Sequence, residues 1–227
     1  MAGLVISYQP ASNILGPVPG DDGGPIRIRP MTEQDSEYVA KLQVEAFREK
    51  FEWAVGKSNV NKVSRALGNG LRRSPQWWPR YFVAELNDEF GCHFAGAIVL
   101  GFYADRSLPE PNFDTNGLGC RAICGMACME MALGEKRSNP SKGYVEAICV
   151  DSKYRGKGIG KVLLDRAEYE AKAMGCRSIY LYVKQTNRAK NLYERQGYRV
   201  TENHDGCCCT YCAVGVRHFY EMEKQLF

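Results

Sequence analysis

Between Tyr144 and Val183 the apolar pattern changes period twice, and few folds accommodate the result. Tyr144-Val145-Glu146-Ala147-Ile148-Cys149-Val150 reads as a strand, and Asp151 to Gly158 has the composition of a turn. Ile159, Leu163, Ala167, Ala171 and Met174 then recur at helical spacing until Gly175 ends the helix. A second strand follows from Ser178 to Val183, with Ile179, Leu181 and Val183 on one face and Tyr180 and Tyr182 on the other. A strand, a helix and a strand in succession form a crossover between parallel neighbours, so the spacing predicts two parallel strands in one sheet.

The flanking segments predict how that unit is completed. Ile26 to Arg29 alternates as a strand, and Thr32 or Asp35 can cap a helix running to about Phe51 with Val39, Leu42, Ala46 and Phe47 on one face. A second helix is expected from about Asn59 to Arg73, ending before Pro75. Tyr81 to Leu86 and Phe94 to Tyr103 form an antiparallel hairpin, Gly117 to Leu133 has helical composition, and Ser138 to Ser141 is a loop. A short helix from Asn187 to Arg195 and strands at Tyr198 to Glu202 and Arg217 to Lys224 close the list. The fold class is therefore α/β (α+β): one domain at 26–227 with a mixed central sheet of about six to seven strands flanked by helices. Residues 1–25, rich in Pro and Gly and carrying Asp21-Asp22, are expected to be a flexible N-terminal arm.

Arg155-Gly156-Lys157-Gly158-Ile159-Gly160 lies between strand and helix, where unpaired N–H groups and the helix dipole favour an anion. A dinucleotide fingerprint would need glycine at Lys161, and a Walker loop would need glycine at Arg155 and Ser or Thr at Val162. Neither pattern is met, and a plain glycine turn entering a helix would look the same. The neighbouring residues add weight. Val150, Arg155, Gly158 and Gly160, followed by Asn187-x-Ala189-x-x-Leu192-Tyr193-x-x-x-Gly197-Tyr198, resemble the two signature motifs of the GNAT (Gcn5-related) N-acetyltransferase superfamily.

That resemblance implies acetyl-CoA as co-substrate, bound in a wedge where the parallel strands splay. In the family's pattern the pantetheine arm pairs with the strand backbone near Ile148, Cys149 and Val150. The loop amides from Arg155 through Gly156, Lys157, Gly158 and Ile159 to Gly160 hold the pyrophosphate, and Asn187 contacts the arm. Lys157 could equally be a solvated lysine, and Asn187 equally a helix cap. Tyr193 matches the family position that donates a proton to the departing thiolate, with a core aromatic as the alternative. Tyr144-Val145-Glu146 is similar to the polyamine acetyltransferase branch, in which a glutamate at this position is a proposed base.

Acyl transfer needs a neutral amine, yet an alkylamine with a pKa of about 10.4 is only about 0.04% neutral at pH 7, a deficit of about 4 to 5 kcal/mol. A base within reach therefore has a quantitative purpose, and Glu146 is the candidate. By the period-two rule its side chain is expected on the face of Tyr144, Ile148 and Val150. It could instead pair with a basic side chain or position the substrate ammonium. The expected reaction is N-acetylation of a primary amine, polyamine- or aralkylamine-like, by direct attack in a ternary complex. A protein N-terminus or lysine as acceptor, and a non-catalytic acyl-CoA-binding module, are the rivals.

Acceptor-side candidates are Glu45, Glu49, Glu52, Trp53, Trp77 and Trp78, since acidic and aromatic groups suit a cation. Ten cysteines in a chain without a recognisable export signal predict free thiols. Cys92, Cys120, Cys124, Cys128, Cys149 and Cys176 lie in apolar stretches as small hydrophobes. Cys207, Cys208, Cys209 and Cys212, near His204 and His218, contain one C-x-x-C pair but no second, so no metal is expected and a thiol-rich loop or strand is. Basic residues are scattered around a net charge of +4, which argues against nucleic acid. The longest uncharged apolar run, Phe94 to Ala104, falls well short of the roughly 20 residues that cross a membrane. The expected setting is cytoplasmic. Oligomeric state is not legible, with a homodimer one option.

Overall fold

The computed structural model describes residues 17–21, 23–111, 113–133, 137–205 and 208–226, apart from the side chains of 133 and 208–210. Most of the expected arm, 1–16 and residue 22, lies outside the described residues. Next to it, the Gly20 carbonyl accepts from the Ile28 N–H at 2.9 Å and the Pro25 carbonyl from Asn87 at 2.8 Å.

Seven strands form one sheet: β1 (Ile26–Pro30), β2 (Tyr81–Asp88), β3 (Gly91–Gly101), β4 (Lys142–Val150), β5 (Ser178–Lys184), β6 (Arg199–Asp205) and β7 (His218–Gln225), in the order β1-β2-β3-β4-β5-β7-β6. The β4–β5 pair is parallel and every other neighbouring pair is antiparallel. The helices are α1 (Ser36–Ala46), α2 (Arg48–Val55), α3 (Val60–Arg72), α4 (Cys120–Leu133), α5 (Ile159–Ala173), α6 (Lys190–Arg195) and α7 (Cys208–Val214). This is the expected mixed α/β architecture.

Three apolar clusters account for the layering. On one face, Ile159, Leu163, Leu164, Ala167 and Ala171 of α5 pack against Val145, Ile179, Leu181 and Met222. On the other, Val39 and Leu42 of α1 and Leu71 of α3 cover Val83, Ala97 and Cys149. The third cluster joins helices to one another: Phe51 and Val55 of α2, Val60 and Val63 of α3, Ala122 and Met129 of α4, and Ala213 and Val214 of α7. It forms a helical cap with its own core.

The cap explains three departures from the sequence expectation. The helix expected to run to Phe51 breaks at Phe47 (φ −111°, ψ 28°), because α1 lies on the sheet while α2 turns into the cap. Phe47 packs against both clusters at the break. Cys120, Cys124 and Cys128 are exposed, not core, since α4 turns Ala122 and Met129 inward instead. Cys92, near the hairpin tip, is exposed too, whereas Cys149 and Cys176 are buried as expected. The cysteine tail, expected as loop or strand, is helical over 208–214 because Ala213 and Val214 anchor it in the cap; Cys207 lies outside the described residues. The Trp53 indole donates to the Cys212 carbonyl at 3.0 Å, tying α2 to α7.

Glycine permits a close backbone contact in the cap. A Cβ on Gly125 of α4 would run into the carbonyl of Ala54 in α2, so the two backbones touch there. Gly125→Val forces them apart. We expect it to lower stability by about 1–3 kcal/mol, the usual range for overpacking, read as a lower urea midpoint, with faster proteolysis between 102 and 141. Cleavage and midpoint matching the parent protein would show that α4 does not depend on this contact.

Candidate active site

The site begins where a strand pairing stops. Parallel pairing of β4 with β5 runs from Lys142↔Ser178 to Val145↔Leu181 and goes no further, although both strands continue. At the same point the β3–β4 register slips: Val99 faces Ala147 and Leu100 faces Val145, leaving Glu146 as the extra residue of a β-bulge. A bulge bends and twists its strand, which here accompanies the parting of β4 from β5. Beyond Val145 the β4 edge facing β5 has no strand partner among the described residues, which opens a wedge beside Ile148, Cys149 and Val150.

The bulge also corrects the expected facing of Glu146. Ile148 and Val150 pack with Val145 on the α5 side, whereas Ala147 and Cys149 join the α1 side. Tyr144 stacks on Tyr180 at 5.0 Å, and both lie opposite the α5 core. Glu146 goes with this tyrosine face: its charge raises the hydroxyl pKa values of Tyr144, Tyr180 and Tyr81, after burial, the larger cause. It therefore shares a face with Tyr144 but not with Ile148 or Val150, since the extra residue inverts the alternation.

Glu146 is partly covered at the bulge. Its side chain is 32% exposed, with neighbours that include Arg137 and Gly101. That burial is the main reason its pKa is raised to about 7; Arg137 lowers it, while Asp105 and Glu110 raise it. The Arg137 Nε lies 3.9 Å from Oε1, so a basic partner is present as well. A carboxyl poised near neutrality can take a proton from a ligand and release it again.

The loop after β4 has the geometry of an anion cradle. Gly156 and Gly158 have φ of +82° and +86°, and no atom lies within 4 Å of a Cβ placed on either. The space above the loop is open, and α5 starts directly after it with its first N–H groups free of helical partners. Gly160 serves a different end: a Cβ there would stand 2.9 Å from Leu192 Cδ2, so its absence lets α6 pack on the first turn of α5, where Ile159 is buried. Arg155 Nε donates to the Val150 carbonyl at 3.3 Å, which folds its guanidinium over the end of β4. Lys157 Nζ lies 5.8 Å from the centre of the Tyr154 ring and is otherwise exposed.

Asn187 Oδ1 accepts from the Ala189 N–H at 2.9 Å, the cap-like role expected as the alternative, and leaves its amide nitrogen available. Tyr193 on α6 is 6% exposed. Burial, and then the neighbouring Cys149 thiol, push its hydroxyl pKa above the ordinary phenol value. Among the described residues that hydroxyl has no hydrogen-bond partner. Burial pushes the Cys149 thiol up to about 12.

Most of the acidic and aromatic candidates expected to line the acceptor side are engaged elsewhere, whereas the Trp77 ring lies 5.0 Å from the Arg137 guanidinium beside Glu146. Glu49 pairs with Lys184 at 3.2 Å, Glu52 with Arg48 at 3.2 Å, and Glu45 is exposed on α1. Trp53 holds α7, Trp77 Nε1 donates to the Pro109 carbonyl at 2.8 Å, and Trp78 Nε1 to the Leu71 carbonyl at 2.9 Å. The tyrosine face carries a different set. Tyr182 donates to Glu221 at 2.8 Å, and His204 lies between Glu202 (3.3 Å) and Glu221 (3.8 Å) with its ring stacked on Phe219. His218 pairs with Asp205 at 2.7 Å. Sequence reasoning missed Arg137 and this β5–β6–β7 cluster. The alternation that put Tyr180 and Tyr182 on one face was visible, but which strands would stand beside them was not.

Comparison with known proteins agrees with this geometry. The model of the acetyltransferase (GNAT) family matches residues 41–198. Mycothiol acetyltransferase of Propionibacterium freudenreichii subsp. shermanii is 36% identical over 66 residues, 29% of this chain and 21% of that protein. N-alpha-acetyltransferase 30 of Xenopus laevis is 41% identical over 58 residues, 25% of this chain and 21% of that protein. The chain thus matches about a fifth of the length of these curated relatives. The PaiA N-acetyltransferase of Thermoplasma acidophilum in complex with coenzyme A superposes with a TM-score of 0.53 at 19% identity, over 88% of this chain and 98% of that one, a likeness of fold. With the family model spanning well over half of its length, and with a splayed parallel pair beside a glycine loop, the chain belongs to the GNAT acetyltransferase family.

Proposed function

We propose that this protein transfers the acetyl group of acetyl-CoA to a primary amine, by direct attack of the amine in a ternary complex. The observation that carries the reading is geometric: the parallel pair parts after Val145, and the bulge there sets Glu146, whose carboxyl pKa is raised to about 7, beside the opening. The thioester supplies an activated acyl carbon, and this chain's residues do the rest.

In this reading the loop N–H groups from Arg155 to Gly160 hold the pyrophosphate, with Arg155 and Lys157 adding charge. The free β4 edge around Ile148, Cys149 and Val150 pairs with the pantetheine arm, and Asn187 offers its amide nitrogen to it. A β4 N–H faces the thioester oxygen as negative charge develops there. Glu146 accepts the proton that the ammonium must lose, the new C–N bond forms, and the C–S bond breaks with its electron pair on sulfur. Tyr193 keeps its proton throughout the working pH range and hydrogen-bonds the departing sulfur. An ordinary thiol has a pKa of about 8.5, so a phenol held above its usual value stabilises the thiolate more than it protonates it. Cys149 contributes backbone only, since a thiol pushed up to about 12 and packed in the α1 core is a poor nucleophile. That supports direct attack over an acetyl-cysteine route.

A small cationic acceptor, polyamine- or aralkylamine-like, fits the tyrosine face. Tyr144, Tyr180 and Tyr182 offer rings, Glu221 and Glu202 offer carboxylates, and the Glu49–Lys184 bridge brings the cap over the end of β5. A protein N-terminus is the second reading, favoured by the stretch similar to N-alpha-acetyltransferase 30. We place the catalytic unit at 26–227 behind an arm of 25 residues, in the cytoplasm, where seven described cysteines without disulfides would persist as thiols.

The sign of the pH dependence follows from the base. Glu146 must be ionised to accept a proton, so kcat/KM is expected to rise with pH through about 7 and then level. Glu146→Gln should remove that limb and lower kcat about 10²-fold or more. Tyr193→Phe is expected to lower kcat by a similar factor while acetyl-CoA binding by calorimetry stays unchanged. The deciding experiment is CoA release against polyamines, aralkylamines, aminoglycosides and N-terminal or lysine peptides. Turnover with a small amine supports the first acceptor class, turnover with peptides alone supports the second, and acetyl-CoA binding without turnover on any acceptor overturns the enzymatic reading.

A further inference from the structure

Arg137 has no part in the sequence motifs, yet it stands beside Glu146 in a deliberate-looking sandwich of contacts. Its guanidinium lies over the Trp77 ring at 5.0 Å, and Trp77 is itself fixed by its bond to the Pro109 carbonyl. One end, Nη2, donates to Glu110 Oε1 at 3.2 Å, while Nε stops 3.9 Å from Glu146 Oε1. The side chain is 15% exposed, against 61% for Glu110. Gly101 on β3 makes room for the pair: a Cβ there would collide with Glu146 Oε1 and stand 3.0 Å from Arg137 Cδ.

One cation is thus shared unequally between two carboxylates. It hydrogen-bonds the outer one and reaches the inner one only through the electrostatic field. The other groups facing Glu146 are Asp105, already paired with Arg80 at 2.7 Å, and the neutral hydroxyls of Tyr81, Tyr144 and Tyr180. Arg137 is therefore the cation that faces Glu146 among the described residues, and Glu110 decides how much of it Glu146 receives.

We propose that Arg137 is a positioning residue that sets the protonation of Glu146, with Glu110 as the anchor that holds it back from a full ion pair. The inference rests on the reading of Glu146 as the base. An ion pair closed to hydrogen-bond distance would leave the carboxylate too weak a base, and no cation at all would leave it protonated at neutral pH. The shared arrangement lies between these limits. Lysine cannot reproduce the stacked, two-ended contact, but it keeps the charge.

The test is the titration midpoint in three variants, measured as the acid limb of kcat/KM and, independently of activity, by carbon-13 NMR of glutamate-labelled protein with the Glu146 carboxyl assigned through Glu146→Gln. Arg137→Gln is expected to raise the midpoint by about one pH unit, the low end for loss of a nearby opposite charge. Glu110→Gln should lower it, because it both removes a like charge and frees Arg137 to close on Glu146. Arg137→Lys, which keeps the charge but not the anchored contact, should not raise it as Arg137→Gln does. A merely structural role would not move two variants in opposite directions. If Glu146→Gln keeps the parent acid limb, the base assignment fails, while the NMR midpoints still judge the electrostatic claim. If Glu146→Gln abolishes the limb but the Arg137→Gln and Glu110→Gln midpoints match the parent, the proposal is overturned. Should Arg137→Gln fail to fold, the Glu110→Gln and Arg137→Lys midpoints decide it, a shift upward or none in Glu110→Gln counting against.

Discussion

Everything at the candidate site depends on the end of one hydrogen-bonded ladder. Parallel strands hold together through evenly spaced, slanted bonds, and here those bonds stop at Val145 and Leu181 while antiparallel partners hold the outer edges of both strands. The sheet stays intact, anchored by β3 on one side and β7 on the other, but opens in the middle. Unpaired backbone inside a protein demands a partner, and an extended ligand arm with amide groups is one that fits. The bulge at Glu146 belongs to the same event, since it bends β4 and turns one carboxylate onto the tyrosine face.

The helices divide the work around that opening. The α5 helix, packed on one face through Leu163, Leu164 and Ala167, presents its N-terminus at the mouth of the wedge. The α1 helix covers the other face and buries Cys149. The cap, built from α2, α4 and α7 together with Val60 and Val63 of α3, has a separate core and meets the sheet through Phe47 and the Lys184–Glu49 bridge.

Charge at the site is arranged by shielding more than by pairing. Glu146, Tyr193 and Cys149 all have raised pKa values for which burial is the largest cause. The consequences differ with the chemistry of each group. A carboxyl near 7 becomes a usable base, a phenol stays a donor, and a thiol becomes inert. Neighbouring charges trim two of these values: Arg137 lowers that of Glu146 while Asp105 and Glu110 raise it, and Arg155 lowers that of Cys149.

The sequence by itself determined the strand–helix–strand unit, its parallel sense, the glycine loop and the pairing of the two motifs that carry the family resemblance. These are local matters: apolar period and glycine placement depend on neighbours within a few residues. It also placed Tyr193, because the helix that carries it follows β5 directly. Tertiary structure decided the facing of Glu146, since a one-residue bulge inverts alternation and arises only from pairing with β3. It decided that Cys120, Cys124 and Cys128 face outward, because which side of an evenly apolar helix is buried depends on what packs against it, here α2 and α7. Arg137 reached Glu146 for the same reason. It precedes β4 without any periodic signal, and only the stacking of Trp77 and the gap left by Gly101 bring its guanidinium to the carboxylate.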